Sequence, residues 1–424
     1  MELPVIVALA SLLFFLALGL PIYAAMGLSI ALAMFVGGLP PELMIQKLFL
    51  SLDSFPLLAV PFFIMSGELM QKGSMADALL RLSRALVGHV RGGMAHISVM
   101  TCLFYGALSG SGPATVAAVG GIMIPAMSRE NYPKPFAAAL NTTSGCLGVL
   151  IPPSVPLIIY GTQANVSIGD LFVAGILPGI FVGLALMGMC YWLCRRRGYG
   201  VPLPKATRRE ILAALWGARH ALLVPFIVLG GIYGGVFTPT EAGATAVLYA
   251  LLIESFVSRS LTWRKFYAVL KSTIINTSVI FIIVALAVAL GQILLIYNTP
   301  QVITDLLSGY AQNKYLLLAI ICGILLICGC FLDTVANIVL LSPLFMPVLR
   351  QAGVNDVHFG IVMITALAIG FITPPVGVNL FVACGISGMT IDRLSRAILP
   401  FLLLMLACLL TLAYVPDISL ALIR

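Results

Sequence analysis

The sequence predicts an all-α polytopic membrane protein, and three observations carry that reading. Hydrophobic residues make up 61 % of its 424 residues and charged ones 9 %, against roughly 45–50 % and about 25 % in soluble domains. Apolar runs of about 17–25 residues recur from Leu3 to the C-terminus, each long enough to cross a hydrocarbon core of about 30 Å as a helix. Lys and Arg gather between those runs, as topology signals do. A soluble globule is excluded. So is a β-barrel, whose short alternating strands are the opposite of these continuous Leu, Ile, Val and Ala stretches.

The first stretch, MELPVIVALASLLFFLALGLPIY, has no basic lead-in and no A-x-A site, so it is expected to be a retained helix rather than a signal peptide. Further spans are expected near 22–38, 48–71, 136–165, 171–194, 218–235, 240–257, 267–297, 357–386 and 394–415, ten with the first at 3–20. Five basic clusters should face the cytoplasm: Arg81, Arg84 and Arg91; Arg129 and Lys134; Arg195 to Arg209; Arg259 to Lys271; Arg393 and Arg396. This threading puts both termini outside. It works only if residues 95–127 and 315–347 enter the membrane as re-entrant hairpins and leave on the side they came from. Lys47, Lys314, Arg350 and Arg424 alone then fall outside.

A shift of 222 residues superposes Gly148 on Gly370, Pro152 and Pro153 on Pro374 and Pro375, Asp170 on Asp392, and Ile176, Leu177 and Pro178 on Ile398, Leu399 and Pro400. No gap is needed from the first hairpin onward. Residues 1–197 and 218–424 are therefore expected to be two repeats joined by a cytoplasmic linker, 198–217, which opens GYGVPLPKATRR. Five spans per half is an odd number, so the copies should sit in opposite orientation, the inverted-topology repeat of many secondary transporters. No nucleotide-binding motif is visible, which leaves an ion gradient or a partner protein as energy source. The cysteines, among them Cys102, Cys146, Cys190, Cys322, Cys328, Cys384 and Cys408, lie within apolar runs without paired Cys-x-x-Cys units and read as small apolar side chains.

Candidate chemistry sits where helices must break. In GALSGSGPATVAAVG, glycines around Ser111 and then Pro113 stop the helix and expose backbone and hydroxyls at membrane depth, which is tolerated only in a protein-lined or wet cavity. The second hairpin reads GCFLDTVANIVLLSP and places Asp333, Thr334 and Asn337 at matching depth. A mid-membrane carboxylate calls for a partner; a helix cap and ion or substrate coordination both remain open for Asp333. GVLIPPSVP (148–156) and GFITPPVGV (370–378) each break a span, because consecutive prolines remove two donors and clash with the preceding turn. Half-helix carbonyl ends suit Na⁺, and half-helix N-terminal ends suit an anionic substrate. Asp170 and Asp392 are expected as N-caps and Glu241 in a first helical turn. Residues 75–91, apolar on one face with arginines opposite, are expected to form an interfacial amphipathic helix linking a fixed to a moving part.

SGSGPATVAAVG, the paired Pro-Pro breaks, GGVFTPTEAGATAV and GCFLDTVANIVLLSPLFMPV together make the chain resemble, along its whole length, the large membrane subunit of tripartite ATP-independent periplasmic (TRAP) transporters, the DctM-like family. The resemblance implies a Na⁺-coupled elevator importer of an organic anion, such as a C4-dicarboxylate or sialic acid, in the bacterial inner membrane. It implies as partners a small four-helix membrane subunit and a periplasmic solute-binding protein, and no organic cofactor. Carried over, its sodium site is expected at Ser109, Gly112, Gly329, Gly370, Thr373 and Val376. A second sodium or substrate site, placed by the repeat, is expected at Gly148, Ile151, Ser154, Asp333, Thr334 and Asn337. Rival readings are a self-sufficient ion-coupled transporter, an intramembrane serine protease using Ser109 or Ser111, for which the four histidines lie near span ends, and a channel, which facing hairpins disfavour.

Overall fold

A computed structural model of the chain describes residues 2–423, so Arg424, expected outside, lies beyond the described residues. Among the described residues there are helices and no strands. The first half runs α1 (Leu3–Ala17), α2 (Ile22–Gly37), α3 (Pro41–Leu52), α4 (Ala59–Lys72), α5 (Met75–Val87), α6 (Gly93–Ser109), α7 (Gly112–Thr115), α8 (Gly121–Arg129), α9 (Lys134–Ser144), α10 (Leu147–Leu150), α11 (Val155–Ala164) and α12 (Ile168–Arg197). The second runs α13 (Arg208–Tyr233), α14 (Pro239–Leu252), α15 (Trp263–Ile296), α16 (Thr299–Ala311), α17 (Lys314–Phe331), α18 (Thr334–Gln351), α19 (Asp356–Gly370), α20 (Val378–Ser387), α21 (Ile391–Tyr414) and the short α22 (Asp417–Leu420). Among the described residues seven helices are long and apolar enough to cross a membrane, nine if bent pairs count as single spans.

Helices turn at both expected tips, α6 into α7–α8 and α17 into α18, and are interrupted at both Pro-Pro pairs, between α10 and α11 and between α19 and α20. The order of the main elements corresponds in the two halves, apart from the short α10 and α22, which have no mate. One difference is large: α3 and α4 meet at 60° across a break that holds Asp53 and Pro56, where α15 is one unbroken helix of 34 residues. The span expected from 48 accordingly begins at Pro41. The amphipathic helix is α5, with Met75, Ala78, Leu79 and Leu82 buried.

Helix starts follow local chemistry. Thr207 with Glu210 and Thr238 with Glu241 form capping boxes, in which each side chain satisfies a backbone donor of the other. Two expectations need correction. The cap of α12 is Ser167, which accepts from the Asp170 amide, and the cap residue of α21 is Thr390. Asp170 and Asp392 sit inside the first turn instead, where they still complement the helix dipole.

Within a membrane, helices gain nothing from expelling lipid and associate through close packing of small residues. Gly67 lets α4 approach the Leu108 carbonyl, Gly106 lets α6 approach Leu147, and Gly175 lets α12 approach the Leu150 carbonyl, each within 2.8 Å of where a Cβ would stand. The interior of the bundle is the pair of broken helices: α9 is buried from Phe136 to Ser144 and α19 from His358 to Gly370. Around them α4, α13, α14 and α15 pack on one another, with one face of each outward.

Candidate functional site

At the first hairpin tip the chain turns through Gly110 (φ +59°) and extended Ser111 before α7 begins. The turn is held by hydroxyls. Thr115 donates to the Ser111 carbonyl at 2.8 Å, and the Ser109 and Thr115 hydroxyls lie 3.0 Å apart. Gly110 has no room for a side chain, since a Cβ would stand 2.9 Å from the Pro153 carbonyl and 3.2 Å from the Ser154 Cα. A Cβ on Gly148 would stand 2.5 Å from the Ser111 carbonyl oxygen. Across the first break the Ser154 hydroxyl donates to the Val149 carbonyl at 2.6 Å, replacing a bond that the prolines removed.

The second tip turns at extended Leu332 and Asp333. Asp333 caps α18 by accepting from the Val335 amide at 2.9 Å. Asn337 donates back to the carbonyls of Cys328 (3.3 Å) and Leu332 (3.1 Å), which leaves its own Oδ1 and the Thr334 hydroxyl buried without a partner. Gly329 packs on the second break so tightly that a Cβ on Gly370 would stand 2.7 Å from the Gly329 Cα. In that break the Thr373 hydroxyl donates to the Ile369 carbonyl at 2.7 Å.

Each tip therefore meets the break of its own half. Gly110 meets Pro153 and Ser154, Ser111 and Thr115 meet Gly148, and Gly329 meets Gly370 as the expected grouping has it. Gly112 also reaches across: a Cβ there would touch the Phe371 ring at 3.2 Å and the Gly145 carbonyl at 3.3 Å. At two expected residues only a backbone carbonyl could ligate a cation, and their side chains lie outside the tips. Ile151 packs against Gly179 of α12, and the Val376 side chain is 39 % exposed.

Between the tips lies a cavity of about 480 Å³. One wall is Ser109 to Ala114, Val155, Pro156 and Asp333 to Val335, so the N-terminal ends of α7, α11 and α18 all border it. The opposite wall is Glu68 and Gln71 of α4 and Asn276 of α15. Asp333 and Glu68 are its ionisable lining residues, and no Lys or Arg is among them. Glu68 is paired with Lys72 at 2.9 Å and accepts from Ser272 at 2.7 Å. Sequence reasoning missed this second wall, although an ionisable residue inside an apolar run, as Glu68 is in FFIMSGELMQK, is itself the signal.

The family description "Tripartite ATP-independent periplasmic transporter, DctM component" matches residues 9–418. The chain belongs to the DctM family. Among relatives of this DctM chain is the isethionate TRAP transporter permease protein DctMQ of Oleidesulfovibrio alaskensis, 45 % identical over 95 % of this chain and 64 % of that protein, so the chain spans less than two thirds of that relative. The C4-dicarboxylate large permease DctM of Pseudomonas aeruginosa is 40 % identical (89 % and 88 % covered), and the sialic acid large permease SiaM of Vibrio cholerae 38 % (89 % and 88 %). In fold, the DctM chain is similar to the YdaH transporter of Alcanivorax borkumensis, with TM-score 0.64 and 15 % identity over 88 % of this chain and 87 % of that one. It is thus a multi-pass transporter permease and not an enzyme.

Proposed function

We propose that the chain carries an organic anion across the bacterial inner membrane together with Na⁺, taking the anion from a periplasmic binding protein and working beside a small membrane subunit. The observation that supports this reading is the charge of the cavity. Three half-helix N-termini offer an anion partial positive charge, and of the two carboxylates in the lining Glu68 is offset by Lys72, which leaves Asp333 without a cationic partner among the lining side chains. An anion is favoured there only when cations are bound nearby, and co-bound Na⁺ supplies them. Buried unpartnered oxygens on Thr334 and Asn337 and the hydroxyls of Ser109 and Thr373 are suitable ligands. We assign one sodium site to the first tip with the first break and another to the second tip with the second break. A tenfold gradient of two Na⁺ is worth about 2.8 kcal/mol, roughly a hundredfold accumulation. Alternating access would come from the tips and breaks moving as one body against α4, α13, α14 and α15, an elevator, with both termini in the periplasm.

The relatives named for isethionate, C4-dicarboxylates and sialic acid make these the first substrates to test. Proteoliposomes holding the chain and its small partner should take up substrate only with binding protein and an inward Na⁺ gradient. Equal uptake on a proton gradient, or without binding protein, would favour the self-sufficient carrier.

A further inference from the structure

The Glu254 carboxylate does chemistry that the carrier reading does not absorb. It lies in a π turn, Ile253–Val257, at the end of α14, and it is fully buried. Its oxygens accept from the backbone amides of Ser74 (3.0 Å) and Met75 (3.3 Å) and from the Ser74 hydroxyl (3.2 Å), all at the start of α5, a helix more than 170 residues away in sequence. The Ser260 hydroxyl donates to the same carboxylate. Ser74 itself gives α5 no side-chain cap, so the cap of this helix is supplied in trans. Gly73 is the residue that permits it, because any Cβ there would occupy the space of the Glu254 carboxylate.

The other end of α5 is built differently. It leads into α6 through Gly88, Gly92 (φ +78°) and Gly93, and the Gly88 carbonyl accepts from the Leu203 amide of the linker at 3.1 Å. One end of α5 is thus tied to α14 by a buried charge-assisted network, and the end next to the first hairpin is glycine-rich.

We propose that Glu254 is a positioning residue that anchors the N-terminal end of α5 to α14, so that the hairpin's movement is taken up at residues 88–93 and not at 73–74. The inference rests on the carrier reading, and its tests separate the two. Glu254→Gln keeps the volume and replaces one acceptor with a donor facing donors. Its maximal uptake rate should fall at least threefold while half-saturating Na⁺ stays within twofold. In Glu254→Ala/Gly73→Asp the carboxylate moves from α14 to the arm's own chain, into the space just vacated. This double variant should recover the thermal unfolding midpoint but not the rate, because α5 is capped yet no longer tied. Full recovery of the rate would reduce Glu254 to a cap and overturn the proposal.

A covalent tie tests the same idea without removing the carboxylate. Ser74→Cys and Ser260→Cys, whose native hydroxyls share one Glu254 oxygen, are placed in a cysteine-free background and oxidised. Uptake should persist in the cross-linked protein, and its loss on oxidation with recovery on reduction would show that this end of α5 must move. If the wild-type chain shows no Na⁺-driven uptake at all, the carrier reading fails and not the anchor alone.

Discussion

The thiol of Cys146 donates to the carbonyl oxygen of Ala368 at 3.0 Å, and the two residues are 222 positions apart, the spacing of the internal repeat. A residue that touches its own repeat mate lies at the place where the two halves meet about their common axis. That place is the buried contact of α10 with α19, directly behind both helix breaks. The same spacing relates Ser111 to Asp333, and both cap the first turn after their hairpin tips. One fold position is filled by a neutral hydroxyl in one half and a carboxylate in the other.

That substitution pattern separates capping from charge. Asn caps a helix about as well as Asp, so Asp333→Asn should leave the unfolding free energy within about 0.5 kcal/mol. If the charge helps to hold a cation, half-saturating Na⁺ should still rise severalfold. Unchanged sodium dependence would leave Asp333 as a cap alone.

Thr373→Val keeps volume and removes the hydroxyl that the second break turns toward Ile369. Loss of one ligand from a buried site costs about 1–3 kcal/mol, so half-saturating Na⁺ should rise at least fivefold. Thr411→Val, on the exposed side of α21, is the control and should do little. A normally folded Thr373→Val with wild-type sodium dependence would remove this residue from the site.

Gly370→Ala should force the second tip off its break, since the added carbon would stand 2.5 Å from the Gly329 carbonyl oxygen. Overpacking of this kind costs about 1–3 kcal/mol, and uptake should be lost with it. Gly323→Ala, within α17 and with open space around it, should be stable and active. Thermal unfolding and uptake measured on both variants decide the matter.

For topology, Lys205→Cys in a cysteine-free background is the suitable probe, because Lys205 is exposed in the linker. A residue at 200 would not serve: Gly200 has φ +66° and a Cβ there would collide with the Tyr132 ring. An impermeant thiol reagent added outside should fail to label position 205, and labelling would reverse the proposed orientation.

Much of this architecture is legible in the amino-acid sequence because lipid imposes simple rules. Hydropathy marks the spans, basic residues mark their ends, and paired prolines at one fixed spacing mark both breaks. The pairing of the first tip with its break is not legible. It depends on glycine contacts such as Gly110 with Pro153, and a glycine's neighbour across space leaves no trace in its own sequence. Ser167 displaces Asp170 as a cap for a related reason: both residue types suit the position, and only backbone geometry decides between them. Glu254 is equally hidden, because a carboxylate near a span end reads as an interfacial charge until the helix it caps is folded against it.

On the proposed coupling, the composition of the cavity wall also bears on what happens when sodium is scarce. Glu68 is offset by Lys72, so an unaccompanied anion meets the Asp333 carboxylate with no Lys or Arg in the lining beside it, and only the helix ends oppose that charge. A basic side chain in that wall would hold the anion in every ionic condition and give it a way back out. On the proposed coupling, its absence would leave the carrier poorly permeable to the anion without sodium, so that substrate already accumulated would be retained when the driving gradient collapses.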